Sequence, residues 1–146
     1  MNDKSATSPE SNDKTPSSSL TVVVVEDSIL MRAHIVASLS AIKGMGAIRQ
    51  AGDVPSGLQL LETVKPDVLI LEIQLPGLTG LQLLKAVRKT DPAMVIIMLT
   101  HHDQPRLRKR CAQLGANYFF SKSTEFERVA EVCRDLAERR AQRPGS

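Results

Sequence analysis

Between Leu20 and Phe120 the chain carries five short apolar runs, most of them continuous rather than alternating with polar residues, and this narrows the available folds more than any other feature. The runs are Leu20 to Val25, Ala47 to Ala51, Asp67 to Leu71, Met94 to Leu99 and Asn117 to Phe120. A strand that reads Val-Val-Val-Val has no face to give to water, so it needs cover on both sides, as in a parallel sheet wrapped by helices. The stretches between the runs have helical spacing. Ile35, Leu39 and Ile42 recur at four and three in the first, and Leu84 and Val87 recur in the third behind a Thr79 to Gln82 capping box. Leu107, Cys111 and Leu114 form the stripe of the fourth, and Phe126, Val129, Ala130, Cys133 and Leu136 that of the last. Strand followed by helix, five times over, is α/β alternation.

A chain of 146 residues with 42% hydrophobic content can bury one core and hardly two. Residues 1–19 are Ser, Thr, Pro, Asn and charge, with too little to bury to offset the entropy of ordering them, and a disordered tail is expected there. The domain is expected over residues 20–140, with 141–146 a frayed end and the fraying beginning near Arg139. After the fifth helix nothing reads as an output domain, so the surface of this one domain is expected to carry any signal. There is no run of about 18 apolar residues and no basic-then-apolar start, so a soluble cytoplasmic protein with no membrane span is expected. Cys111 and Cys133 sit in apolar helical patterns and read as reduced core thiols, not a disulfide or a metal pair. The net charge of +3 is uneven, with ten Lys or Arg against six Asp or Glu from His101 onward, which suits either a solvated helix face or an acidic partner.

In an open parallel sheet, functional groups collect at the carboxyl ends of the strands. Here those ends carry Glu26 and Asp27, then Glu72, then Thr100, then Ser121 and Lys122. Neighbouring strands lie ~4.8 Å apart, so adjacency of these four would put three carboxylates, a hydroxyl and an ammonium in one shallow pocket. A single acid at a strand end is ordinarily just solvated. Three together repel unless the lysine or a divalent cation compensates, and Mg2+ is the natural completion of such an oxygen-rich site.

The stretches VVVVEDSILMR, PDVLILEIQLPGLTG, VIIMLT and GANYFFSKS resemble the receiver domain of bacterial two-component response regulators, over essentially all of Leu20 to Arg140. Pro76 stands four residues after position 72, and Lys122 fifty after it, as in that family. The resemblance implies a flavodoxin-like, doubly wound five-stranded parallel sheet in the order 2-1-3-4-5 with helices on both faces. It implies that Asp27 binds Mg2+ directly, that Glu26 does so mostly through water, and that the backbone carbonyl of Gln74 adds a ligand beside the acid at position 72. Position 72 would accept a phosphoryl group, Thr100 would contact that group, and Lys122 would pair with its charge. Phe119 holds the place of the family's switch aromatic; without a tyrosine hydroxyl it can stay inward at all times, or serve simply as core. The implied partners are a histidine kinase or phosphotransfer protein and a downstream target at the face of the fourth helix, fifth strand and fifth helix, the chain itself being a monomer or weak homodimer.

Three departures qualify the resemblance. At the phosphoacceptor position stands Glu72, not Asp, one methylene farther out. In-line transfer requires reacting atoms aligned at about 3 to 3.5 Å, so phosphorylation should be greatly weakened. The same reach lets the carboxylate engage Thr100 or Lys122 and partly imitate the phosphorylated state with its single negative charge. His101 follows Thr100 where a small residue is usual and can screen the pocket; with His102 it reads as solvent-facing loop rather than a metal pair. Ser123 replaces the usual proline after the lysine, so the peptide bond between them should be trans, a cis form costing about 2.5 to 4 kcal/mol. Ser123 or Thr124 then reads as the last helix's N-cap, with Glu127 three residues after Thr124.

The fourth helix sets Arg106, Arg108, Lys109 and Arg110 outward. That surface suits a protein with an acidic patch; nucleic acid is disfavoured, because no aromatics interleave the charges and aromatic content is 3%. Three functional readings follow. The first is a receiver module acting by contact, no enzyme beyond residual self-phosphorylation and self-dephosphorylation, with its chemistry impaired or imitated by Glu72. The second is a conventional phosphorylated switch served by a histidine kinase, with Glu72 an introduced substitution of Asp. The third is a flavodoxin-like FMN carrier, against which Glu26 and Asp27 stand where a phosphate loop belongs.

Overall fold

The structure is a computed structural model and describes residues 19–77 and 79–143. The tail expected over 1–19 therefore lies, apart from Ser19, outside the described residues, as do positions 144–146 of the frayed end. Strands β1 Leu20–Val25, β2 Met45–Ala51, β3 Val68–Leu71, β4 Val95–Thr100 and β5 Tyr118–Ser121 alternate with helices α1 Ile29–Ser40, α2 Val54–Val64, α3 Gly80–Thr90, α4 Pro105–Gln113 and α5 Glu127–Ala141. The five strands form one parallel sheet in the order β2-β1-β3-β4-β5, the doubly wound arrangement that the apolar runs and the resemblance imply.

Successive strand residues point to opposite faces, so each run feeds two cores. Val23, Val25, Leu69, Leu71, Ile96 and Met98 pack with the buried residues of α2, α3 and α4. Val22, Val24, Val68, Ile70, Ile97 and Leu99 pack with Ile35 and Leu39 of α1 and Val129, Cys133 and Ala137 of α5. Each such side chain contributes roughly 1.5 to 3 kcal/mol by leaving water. Burial pushes the thiols of Cys111 and Cys133 up to about 11 and about 12, so both are inert free core cysteines. Among the described residues no helix is long and apolar enough to cross a membrane.

Several boundaries differ from expectation. β3, β4 and β5 each start one residue later than expected, and Asp67 and Asn117 just before β3 and β5 also serve as side-chain acceptors. Asp67 takes the Thr21 N–H at 2.9 Å, and Asn117 takes the Ile96 N–H at 2.8 Å. β4 runs one residue farther, to Thr100, which pairs with Ser121. β2 begins at Met45, two residues before the expected Ala47, because it is an edge strand paired on one side only, and its half-exposed residues carry no continuous apolar signal. Ile42 is buried but lies past the end of α1, whose last residue is Ser40. α5 does not fray at Arg139: it continues to Ala141, with Arg140 3.0 Å from Asp67.

Caps account for most helix starts. Ser28, Asp53 and Thr79 accept N–H groups of Met31, Ser56 and Gln82, and the Thr79–Gln82 capping box is complete. The expected cap of α5 by Ser123 or Thr124 is not made. Residue Phe126 occupies that position without a side-chain cap bond, stacked on His34 with ring centroids 4.1 Å apart. The preceding residues form a separate turn instead, in which Glu125 donates its N–H to the Ser121 carbonyl and its carboxylate accepts the Ser121 N–H.

Where β3 hands over to α3 the chain approaches itself closely. The Gly80 N–H donates to the Ile73 carbonyl at 2.6 Å, and a Cβ on residue 80 would fall on the Glu72 carbonyl oxygen. Only glycine fits. Gly80→Ala is expected to lower stability by about 2 kcal/mol or more through backbone displacement. Urea unfolding checks this: the midpoint should fall with the m value unchanged.

Candidate functional site

Strand register assembles the site. Val25 pairs with Leu71, Leu71 with Met98, and Thr100 with Ser121, so the next residues along β1, β3 and β5, Glu26, Glu72 and Lys122, meet at one edge of the sheet. The ladder extends one step beyond the strands, with the Glu72 N–H donating to the Val25 carbonyl at 3.0 Å. Glu26, Asp27, Glu72, Gln74, His101 and Lys122 all line the resulting open pocket.

At its floor is a three-membered ion cluster. The Lys122 ammonium lies 2.6 Å from Glu26 Oε1 and 2.6 Å from Glu72 Oε1, and all three side chains are at most 6% exposed. The second oxygens are also held. Glu26 Oε2 accepts the Ser28 N–H at 2.9 Å, while Glu72 Oε2 accepts the N–H groups of Ile73 at 2.6 Å and Gln74 at 3.2 Å. All four carboxylate oxygens thus have a donor. Burial pushes the Glu26 carboxyl above its ordinary value, with Lys122 and the Ser28 N–H pulling part of the way back. Burial also works against the Lys122 ammonium, but hydrogen bonds to Glu26 and Glu72 and their charges outweigh it, and its pKa is raised.

Of the two contacts open to the longer acid, Glu72 makes the one to Lys122; the Thr100 hydroxyl, fully buried, accepts the His102 N–H at 3.1 Å. The bond from Lys122 to Ser123 is trans. Exposed His101 places Nδ1 3.3 Å from the Ser123 hydroxyl, across the pocket mouth. Phe119 is buried at 7% exposure in the core under α4, with the Arg108 guanidinium 4.6 Å from its ring centroid. Arg108 is spent on that contact, on the Phe119 carbonyl at 2.7 Å and on Glu125 at 3.3 Å, which leaves Arg106, Lys109 and Arg110 as the exposed basic residues of α4.

The geometry departs from the Mg2+ ligand set that the resemblance implies. Asp27 and Gln74 are exposed on the rim, while Glu26 and Glu72 face Lys122, and among the described residues no three His, Cys, Asp or Glu side chains are grouped to hold a metal. The residues present therefore do not fit the ion well. The sequence offered Lys122 as one of two ways to compensate the acids and as one of two partners for Glu72; sequence reasoning missed that the backbone after β3 clamps Glu72. The available signal was the extra methylene, long enough for the carboxylate to fold back onto its own next two N–H groups.

Removing the ammonium strands two buried acids side by side. Lys122→Met is expected to cost about 3 kcal/mol or more at neutral pH. The cost should shrink as pH falls, since protonation relieves the repulsion and Glu26 takes its proton at higher pH than an ordinary glutamate. At the alkaline end the cost shrinks again. The raised Lys122 pKa contributes stability that is complete below the ordinary value of 10.5 and is lost as pH rises through the folded value, a loss the variant lacks. Urea midpoints of both proteins across pH test both limbs.

Known proteins similar to this chain place it in a family. A family model described as the response regulator receiver domain matches residues 22–134. The probable transcriptional regulatory protein NarL of Mycobacterium tuberculosis is 29% identical over 119 residues, covering 82% of this chain and 55% of that protein. A protein-glutamate methylesterase/protein-glutamine glutaminase of Gluconobacter oxydans is 34% identical over 106 residues, covering 72% of this chain and 30% of that protein. The chain thus spans about half the length, or less, of these curated relatives. Among solved structures, the receiver domain of the putative response regulator NarL from Mycobacterium tuberculosis superposes with a TM-score of 0.74 at 28% identity, over 82% of this chain and 97% of that one. With the strand order, the acidic edge and the lysine after β5 all in place, this chain belongs to the response regulator receiver domain family.

Proposed function

We propose that this receiver, a module of two-component signalling, acts by protein contact and does not depend on accepting a phosphoryl group at position 72. The observation that carries this reading is the occupancy of Glu72. A nucleophilic carboxylate must present a lone pair in line with the phosphorus, yet Oε1 is bound to Lys122 and Oε2 to two backbone N–H groups. Those contacts fix the carboxylate's orientation, so that in-line attack would require it to turn away from them, in a pocket where the acid is already a methylene too long. Any Mg2+ binding is correspondingly weakened.

The same contacts support a partial imitation of the active state. Glu72 already holds the lysine that the resemblance assigns to the phosphoryl group, but it does not hold Thr100, and it carries one negative charge where a phosphoryl group carries nearly two. The bias toward the signalling conformation is therefore incomplete. Receiver domains interact with kinases and downstream effectors. In this chain the α4-β5-α5 face, with Arg106, Lys109 and Arg110 exposed, suits an effector bearing an acidic patch, and a histidine kinase or phosphotransfer protein is the upstream partner. An FMN carrier is disfavoured by the anionic floor of the pocket, which would repel a phosphate.

Incubation with acetyl phosphate and Mg2+, read by intact mass, tests the proposal. Wild type should gain no phosphoryl group, whereas Glu72→Asp should gain one. Labelling of the wild type as readily as the aspartate form would refute it.

A further inference from the structure

We propose that Lys122 is the resident cation of this pocket, neutralising Glu26 and Glu72 in the role a divalent metal plays in other receivers, so that the module keeps its conformation whether or not Mg2+ is present. This inference rests on the receiver reading of the site, but not on Glu72 being unreactive.

Two observations carry it. The first is the position of the ammonium, 2.6 Å from an oxygen of each acid and 5% exposed. A dication approaching the same oxygens would meet a positive charge in direct contact with them, at a depth where solvent screens little. The second is the engagement of the remaining oxygens by the N–H groups of Ser28, Ile73 and Gln74. Mg2+ asks for near-octahedral oxygen ligands and dehydrates reluctantly, and here each carboxylate oxygen it could use already accepts at least one hydrogen bond that its approach would weaken or displace. Asp27, the acid outside this network, is exposed on the rim and offers one carboxylate alone, too little for a site. The lysine's position is in turn secured from β5: its own N–H donates to the Thr100 carbonyl at 2.9 Å, and the turn after it is closed by Glu125.

The consequence is a signalling surface insensitive to divalent ions, unlike one whose pocket must be completed by a metal. Mn2+ is a direct probe, read as paramagnetic broadening of backbone amides at positions 26–28 and 72–74 in the full chain, alongside thermal unfolding in EDTA and in about 10 mM Mg2+. Wild type should show no saturable broadening through the low millimolar range and the same unfolding temperature in both solutions. Lys122→Met removes the competing charge, and Glu72→Asp draws one acid back from it; each should bind Mn2+ at least about tenfold more tightly than wild type. Should Lys122→Met fail to fold, Glu72→Asp decides the matter. Saturable binding in wild type as tight as in the variants would overturn the inference, and so would the absence of any tightening in the folded variants. Metal binding by a wild type that still refuses acetyl phosphate would remove this inference alone, whereas phosphorylation of the wild type would remove the functional reading.

Discussion

Everything at the carboxyl edge of this molecule depends on the register of three neighbouring strands. Because Val25 pairs with Leu71 and Leu71 with Met98, the first residues beyond β1 and β3 stand side by side, and Thr100 paired with Ser121 brings Lys122 up to them. A slip of one residue in any strand would turn its side chains to the opposite face and scatter the cluster. The register is held by two apolar cores on opposite faces of the sheet, so the energy that positions the three groups comes largely from Val, Leu and Ile side chains.

The ion cluster itself is an expensive object. Taking a carboxylate or ammonium out of water costs several kcal/mol even after relaxation, and a lone pair of buried charges often fails to recover it. This cluster does better because nothing in it is half-satisfied: one ammonium serves two acids, and backbone N–H groups complete both. Satisfaction of that kind makes a network rigid, and rigidity is what a phosphorylatable site must avoid, since its acid needs a free lone pair and room for an incoming group. At position 72 the acid reaches Lys122 and its own next two N–H groups, and not Thr100.

Much of this was legible in the residues. Unbroken apolar runs pointed to a covered parallel sheet, the strand ends pointed to Glu26, Glu72, Thr100 and Lys122, and Thr79 with Gln82 marked a helix start that the structure shows. What stayed hidden was choice among partners. Spacing places Lys122 near two acids but cannot say that it binds both, nor that Glu72 prefers it to Thr100. Asp27 reads from the sequence as part of the acidic group, yet it points to the rim because Ser28 turns the chain there to cap α1 and lends its own N–H to Glu26. The cap of α5 was misread for a similar reason. Ser123 and Thr124 have the right chemistry, but the turn closed by Glu125 takes the backbone first, and an aromatic stack then sets where the helix begins.

The pocket and the proposed docking face are joined by few bonds. Lys122 follows Ser121, whose N–H is held by Glu125; that carboxylate also holds Arg108 of α4, and Arg108 covers the ring and carbonyl of Phe119. In a switching receiver an aromatic at this place would move with the state of the pocket. Here Phe119 is buried beneath a guanidinium that has two further partners, and it has no hydroxyl to draw it toward water. A shared element with two arrangements is what couples distant sites, and the contacts at its two ends are Glu72 on Lys122 and Arg108 on Phe119. If the face of α4 and α5 carries the signal, as proposed, these contacts connect it to the pocket through Glu125, Arg108 and Phe119.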